Sequence, residues 1–326
     1  MYCIDAGSIY CPCHLAETLN CVACSQLSGE KFCQCKNWHG ICIYEQCMSN
    51  GNKVKNLRET YTSYILKKEI PQDDLCIFTL KAPENLVKEL TYPGSFVFMR
   101  GEENINYYDV PISIMEANTD EIFLKVAIKL IGIKTKKLFQ LNKNRKILLR
   151  GPFSNGIMGL SNIYNAKGGT SLIIARGIGI SPSISVMKNL YCNNNKIISI
   201  LDTQFENNFA REYFEEYSSK TIHCSILDDG NLTEEFKSIL KEIMDDENIN
   251  IIHCGGSDTL TYKIIQLVDK SINFSCCNNA KMSCGEGICS SCTNSCGNNG
   301  IKRLCKIQMD PRDLFKNKEL YRRSFQ

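Results

Sequence analysis

No apolar run in the sequence approaches the roughly 18 residues of a membrane span. Net charge is also small. Lys and Arg total 38 against 35 Asp and Glu, a net of +3, which is too even a balance for a nucleic-acid partner. The first residues, MYCIDAGSIYCPCH, have neither the basic start nor the apolar block of a secretory signal. A cytoplasmic location is therefore expected, where disulfides are rare. No acid–base pair suited to catalysis stands out, so no catalytic residue is assigned. A length of 326 residues and a hydrophobic fraction of 43% allow two or three ordinary globular domains.

Cysteine is abundant instead, at 20 residues. Cys3, Cys11, Cys13, Cys21, Cys24, Cys33, Cys35, Cys42 and Cys47 lie in the first 50 residues. Cys276, Cys277, Cys284, Cys289, Cys292, Cys296 and Cys305 lie near the end, and only Cys76, Cys192, Cys224 and Cys254 fall between. Clustered thiols at short spacing in a reducing compartment point to metal ligation.

Cys284, Cys289 and Cys292 form C-x4-C-x2-C, the ferredoxin-type spacing for a [2Fe–2S] cluster, and Cys305 fits as the fourth ligand. Gly285, Gly287, Ser290 and Ser291 let the loop turn tightly and aim N–H groups at sulfur. A structural zinc site is the alternative, although zinc normally shows paired C-x2-C knuckles and one such pair is present. Cys296 could take the place of Cys305.

Residues 168–275 alternate strand and helix. TSLIIA (170–175), KIISIL (196–201), TIHCSIL (221–227) and NINIIHC (248–254) read as strands. PSISVMKNL (182–190), NNFAREYFEEYS, TEEFKSILKEIM (233–244) and the run after Cys254 read as helices. This pattern predicts a doubly wound parallel α/β sheet. Strand, glycine loop (Gly177, Gly179) and helix, with Ser181 as N-cap and Pro182 first in the helix, are arranged to present N–H groups to a phosphate. The loop is G-x-G-x-x-P, so a tight turn without a ligand stays open. Asp202 ends the second strand, where an acid can accept from a ribose 2′-OH and favour NAD over NADP.

Residues 53–158 are different. YILKKEI, DLCIFTL, GSFVFMR, VPISIME and EIFLKVAIKLIG are short β-rich runs, with a helix expected over TKKLFQL (135–141). They predict a small antiparallel β-barrel. Four segments are thus expected: a Cys-rich segment at 1–52, the barrel at 53–158, the α/β domain at 159–272 and the cluster loop within 273–326.

In this order, YPGSFVFMR (92–100), VPISI (110–114), GIKTKKL (132–138), GPFSNGI (151–157), RGIGISPSISV (176–186), HCGG (253–256) and the cysteine loop resemble the ferredoxin–NADP reductase superfamily. The set is most similar to the electron-transfer subunits of B-type dihydroorotate dehydrogenases and of sulfide dehydrogenases. The resemblance covers about residues 60–310. It implies a multidomain protein with an FAD-binding barrel, an NAD-binding domain and a C-terminal [2Fe–2S] cluster. It also assigns roles: Val110, Pro111, Ile112 and Ser113 to the flavin, with Ala127, Ile128 and Lys129 on a second flavin strand. Lys134 and Thr135 match the FAD pyrophosphate turn. Gly177, Gly179 and Ser181 match the nicotinamide-nucleotide loop, and Cys254, Gly255 and Gly256 match the turn beside the nicotinamide. One departure stands out. Where the family usually has an arginine before Pro-Ile-Ser, this chain has Asp109 and Val110. An aspartate there is expected to disfavour a reduced, anionic flavin, unless Arg176 restores the charge.

The first 50 residues lie outside the resemblance and are short of large apolar side chains. A metal would supply the stability that burial cannot. Cys11, Cys13, Cys21, Cys24, Cys33, Cys35 and Cys42 are the candidate ligands, for a second iron–sulfur cluster or for zinc. His14 and His39 read as surface residues, and Trp38 as a lid over the metal. The whole implies an electron-transfer subunit passing electrons between NAD(P)H, FAD and the cluster, to or from a partner oxidoreductase. An iron–sulfur sensor or structural protein on an idle reductase scaffold, and a self-contained reductase, are the other readings.

Overall fold

The computed structural model describes residues 2–35, 40–55, 58–203, 209–295 and 300–316. Trp38, His39 and Cys296 lie outside the described residues. The chain forms two compact units, the first made of Met1–Gly156, Ala280–Asn294 and Arg303–Gln308.

The first unit opens with β1 (Tyr2–Cys3), α1 (His14–Glu17) and α2 (Ile43–Ser49). Then come β2 (Glu59–Gln72), β3 (Leu75–Lys81), α3 (Glu84–Glu89), β4 (Phe96–Gly101), β5 (Val110–Ser113), β6 (Glu116–Asn118), β7 (Phe123–Lys129), α4 (Ile133–Phe139) and β8 (Lys146–Phe153). The strands build one curled antiparallel sheet, a half-barrel, in the order β5-β4-β8-β2-β3-β7-β6. Register shifts between Ile65 and Lys67 and between Glu69 and Gln72 let the long β2 bend. The concave side is filled by Phe78, Leu80, Val97, Met99, Val126 and Leu149, and α3 closes it with Leu86 and Val87. Strand β8 was not foreseen. Gly151-Pro152 at its end reads as a turn, yet β8 sits centrally between β2 and β4. Helix α4 begins two residues earlier than expected. The Thr135 hydroxyl accepts from the N–H groups of Ile131 and Gly132 and so closes the turn at that point.

The second unit contains β9 (Ile157–Met158), α5 (Leu160–Asn165), β10 (Thr170–Ala175), α6 (Ile180–Cys192), β11 (Lys196–Asp202), α7 (Arg211–Tyr217) and β12 (Lys220–Cys224). It continues with the hairpin β13 (Leu227–Asp228) and β14 (Asn231–Leu232), then α8 (Glu234–Asp246), β15 (Ile249–Gly255), α9 (Asp258–Leu267) and β16 (Asn273–Cys277). The main sheet runs β12-β11-β10-β15-β16-β9, parallel except for β9 at the edge. Strands β10, β11, β15 and β16 are buried along nearly their whole length, as the centre of a sheet covered on both faces requires, while the edge strand β12 is largely open. The order reverses at β10, because the chain moves outward through β11 and β12 and returns beside β10 as β15. Such a switch point opens a crevice at the carboxyl ends of the strands.

Later come the short strands β17 (Thr293–Ser295) and β18 (Ile301–Arg303), then β19 (Ile307–Gln308) and α10 (Pro311–Phe315). Within the first unit, β19 pairs antiparallel with β1, Tyr2 opposite Gln308. Among the described residues no helix is long and apolar enough to cross a membrane.

Candidate functional site

The expected flavin stretch is strand β5, and β7 lies against it. Asp109, just before β5, is 5% exposed and is not an isolated negative charge. Arg100 Nη1 donates to its Oδ1 at 2.6 Å and Arg150 Nε to its Oδ2 at 3.3 Å. Lys134 Nζ donates to its carbonyl oxygen at 2.8 Å. Two cations meet the carboxylate and a third the adjoining carbonyl, a surplus of +2 (3 − 1) over the one acid. These cations offset the repulsion of an anionic flavin expected from Asp109. Arg100 Nε is buried without a partner among the described residues, an unused donor beside this surplus. The donor set suits a phosphate or an anionic flavin.

The other expected flavin residues divide. Ile112 and Ile128 point into the core, leaving their backbone to meet a ligand. Ala127 is 4% exposed, and Lys129 pairs with Asp74 at 3.3 Å. The Thr135 hydroxyl also donates to the Gly132 carbonyl at 3.1 Å, so it is occupied by its own helix turn.

In the second unit the two glycine turns meet at the switch point. Gly177–Gly179 form one turn of 3-10 helix after β10, with Gly177 at φ +65°. A Cβ on Gly179 would sit 2.4 Å from the Gly255 carbonyl carbon and oxygen, and one on Gly255 would sit 2.5 Å from the Gly179 oxygen. Glycine is required on both sides by backbone packed against backbone. The helix starts at Ile180, so Ser181 lies inside its first turn and is not the N-cap; its buried hydroxyl has no partner among the described residues. The 3-10 turn runs straight into α6, and Pro182 is tolerated where N–H groups have no intrahelical acceptor. Asp202, with its side chain fully buried, accepts from Arg176 Nε at 2.8 Å and from the Ile226 N–H at 3.3 Å. Arg176 thus balances Asp202 rather than Asp109. Cys254 accepts from the Thr261 hydroxyl at 3.4 Å. Burial pushes its thiol up to about 12, so it stays protonated at neutral pH.

In the cysteine loop Cys284 shares a hydrogen bond with Cys289, and Cys292 with Cys305. A binuclear cluster takes its thiolates two per iron, and this two-and-two pairing fits it. The Cys305 hydrogen bond lowers Cys292 to about 6 against the effect of burial, and Cys305, the donor, is raised. Burial raises Cys289, but hydrogen bonds from Ser291 and Cys284 outweigh it and bring it to about 7. The Glu286 N–H donates to Cys284 Sγ at 3.3 Å. Phe96, Phe98, Phe153 and Met282 pack with Cys292 and Cys305 as an apolar wall. Gly285 has φ +72°, and its Cβ would lie 2.4 Å from the Phe153 ring; Gly287 is pressed against Leu15 in the same way, at 2.9 Å. Arg150, over the Phe98 ring at 4.5 Å, donates to the Cys284 carbonyl at 3.0 Å. It therefore joins Asp109 to the cluster loop.

In the N-terminal segment Cys11, Ala16, Leu27, Ile43 and Cys47 form a small core flanked by Cys21 and Cys24. Cys24, Cys33, Cys35 and Cys42 line one cavity of about 30 Å³, with Cys33 and Cys35 sulfurs 2.9 Å apart. Cys11, Cys13 and Cys21 do not line it, but Cys21 adjoins it, its sulfur accepting from the Cys24 N–H at 3.3 Å. These cysteines are free thiols. Among the described residues, no three His, Cys, Asp or Glu side chains are grouped as they would be around a single metal ion. His14 is half-exposed and pairs with Glu17 at 3.4 Å.

Sequence reading missed Arg100, Arg150 and a buried ion group of Asp5, Arg58, Glu286 and Lys306. The available signal was charge inside apolar strands, as in FVFMR and LLRGPF.

No protein-family model matches the chain. The fold is that of ferredoxin–NADP reductase-like flavoproteins. A solved NADH-dependent reduced ferredoxin–NADP oxidoreductase aligns with a TM-score of 0.62 at 19% identity, over 80% of this chain and 94% of that one. Within that fold the chain resembles electron-transfer subunits. It is 28% identical to the dihydroorotate dehydrogenase B (NAD(+)) electron transfer subunit of Fusobacterium nucleatum, over 66% of this chain and 82% of the relative. It is 26% identical to the sulfhydrogenase 2 subunit gamma of Pyrococcus furiosus, over 71% and 86%.

Proposed function

We propose that this chain is an electron-transfer flavoprotein subunit that passes electrons between NAD(P)H, FAD and a [2Fe–2S] cluster, to or from a partner oxidoreductase. When bound, the nicotinamide and flavin supply two-electron hydride chemistry and the cluster supplies single-electron transfer. The observation that carries the reading is the C-x4-C-x2-C spacing of Cys284, Cys289 and Cys292 together with the packing of Cys292 and Cys305 under the Phe96–Phe98–Phe153 wall.

The chain's own residues bind, orient and exclude water. Arg100, Arg150 and Lys134 hold positive charge beside β5 for a flavin and its phosphates. The Gly177–Gly179 turn and the start of α6, 13 residues long, present N–H groups to a dinucleotide phosphate. Cys254, Gly255 and Gly256 shape the adjoining turn. Arg176 beside Asp202 offers a cation as well as an acid, so the choice between a ribose hydroxyl and a 2′-phosphate rests on that pair. Gly285 and Gly287 bend the cluster loop, and the aromatic wall keeps water from Cys292 and Cys305.

The N-terminal segment is proposed to hold a second metal centre, iron–sulfur or zinc, with Cys24, Cys33, Cys35 and Cys42 as its ligands. Four free thiols lining one cavity support this choice. Cys11, Cys13 and Cys21 are the remaining candidates. The reading as an idle scaffold rested on Asp109, and Arg100 and Arg150 remove that ground.

The test is anaerobic purification, a visible spectrum, and assays of iron, sulfide, zinc and FAD, followed by NADH and NADPH in separate cuvettes. Flavin and cluster bands bleached by reduced nicotinamide are expected. Iron without flavin, or bands untouched by either nucleotide, would overturn the proposal.

A further inference from the structure

The N-terminal segment is tied to the cysteine loop by four buried charges. Arg58 Nη2 donates to Asp5 Oδ1 at 2.7 Å and its Nη1 to Glu286 Oε2 at 2.8 Å. Lys306 Nζ donates to Asp5 Oδ2 at 2.6 Å and to Glu286 Oε2 at 3.0 Å. The side chains of Lys306, Arg58 and Asp5 are 0%, 4% and 5% exposed, and that of Glu286 16%. Each acid bridges both cations, and the four charges sum to zero.

Their places in the chain give the group its meaning. Lys306 follows Cys305, and Glu286 lies two residues after Cys284. Asp5 comes from the first turn after β1, and Arg58 from the lead into β2. Backbone contacts reinforce the link: the Ile4 N–H donates to the Lys306 carbonyl at 2.8 Å, and Leu15 packs on Gly287. Arg58 is further fixed between the Tyr10 and Phe153 rings, 4.2 and 4.5 Å from their centroids. Burying four ions to join segments some 300 residues apart in sequence is a poor route to stability alone, since an apolar set of similar size is often as stable. It does fix charge and register beside Cys284 and Cys305.

We propose that Asp5, Arg58, Glu286 and Lys306 are positioning residues for the cluster loop, a charge-balanced latch through which the N-terminal segment holds that loop and sets the field at its cysteines. This rests on the [2Fe–2S] reading for its effect on potential, but the latch itself does not. Adding an electron makes a cluster more negative, so an uncompensated cation beside it favours the reduced form.

The experiment uses the full chain purified without oxygen, with the cluster midpoint potential read by redox titration followed by electron paramagnetic resonance. Asp5→Asn, nearly isosteric, leaves one surplus positive charge and should raise the potential. Lys306→Met leaves one surplus negative charge and should lower it. Asp5→Asn with Lys306→Met restores neutrality and should return it towards wild type. Glu286→Gln, at a less buried site, should match Asp5→Asn in sign and serves if Lys306→Met does not fold. Potentials unmoved in the single variants, or moved alike in both, would overturn the proposal, as would equal loss of cluster in all. Hydrogen exchange over residues 284–306 is the second readout, with faster exchange expected in Asp5→Asn. If wild type binds no iron and sulfide, the [2Fe–2S] reading fails, and unchanged exchange would then overturn the latch by itself.

Discussion

Gly179→Ala tests the switch point most directly. A Cβ there would lie 2.4 Å from the Gly255 carbonyl carbon and oxygen and 2.7 Å from the Gly256 nitrogen, where ordinary contact begins at 3.4 Å. The shortfall is 1.0 Å (3.4 − 2.4), and every atom it meets is backbone. No side chain can turn aside. The strands behind cannot part cheaply either, since Ala175 and Gly255 are register partners and the Arg176 N–H donates to the Gly255 carbonyl at 2.8 Å. Overpacking of this kind costs about 1–3 kcal/mol, and the absence of any yielding atom puts this case near 3. A shift of about 1 Å in a loop that positions a reactant costs on the order of 100-fold in rate. The assay is stopped-flow bleaching of the flavin band by NADH, with thermal unfolding in parallel. The exposed Lys188→Ala on α6 serves as the control. Gly179→Ala should bleach roughly a hundredfold more slowly and melt several degrees lower. A variant as fast and as stable as wild type would refute the reading that these turns are in contact and hold the nucleotide.

Asp109→Arg should not improve FAD binding. It would place a third guanidinium against Arg100 and Arg150 and remove their shared partner, costing about 3–5 kcal/mol as a broken buried pair and lowering FAD content. Equal or higher FAD per chain would contradict this. Arg150→Gln should weaken retention of iron in the cysteine loop while β8 stays folded, followed by iron per chain and circular dichroism. Cys24→Ser with Cys42→Ser should remove one metal centre and leave the [2Fe–2S] signal intact; loss of neither metal would show that these thiols are not ligands. His253, fully buried against Ser275, is held neutral by desolvation, which lowers its pKa to about 3. The unfolded chain takes up its proton first, so this stability is complete above about pH 6.5 and is lost as pH falls from there towards 3. About 2 kcal/mol should go between pH 6.5 and 5, at about 1.36 kcal/mol per unit. His253→Asn should flatten that part of the denaturation curve, and an unchanged slope would rule the histidine out as its source.

Periodic, locally determined features were legible in the sequence. TSLIIA is strand β10 at the expected bounds, because a short apolar run closed by Gly177 admits little else. The antiparallel and α/β sheets likewise followed from short β-rich runs set off by turn residues and from strand–helix alternation, although the first curls into a half-barrel where a barrel was expected. Legibility failed where tertiary partners decide. Ser181 has the chemistry of an N-cap, but the turn against Gly255 started the helix sooner. Thr135 has a free hydroxyl in sequence and none in the fold. The acid at Asp109 is visible in one dimension, and the arginines that neutralise it stand 9 and 41 residues away.

That last case shows how an acid can stand among enough cations for the summed charge around it to stay positive. A flavin site needs positive potential, and potential sums over every nearby charge. In this chain the cations come from β4 beside β5, from β8 on the far side of β4, and from α4, and Asp109 holds two of them in place. Removing the carboxylate would not simply raise the positive potential. It would release Arg100 and Arg150 from their geometry, and Arg150 also holds the Cys284 carbonyl. Asp109 therefore orders two arginines at once, and through Arg150 it joins the start of β5 to the cysteine loop.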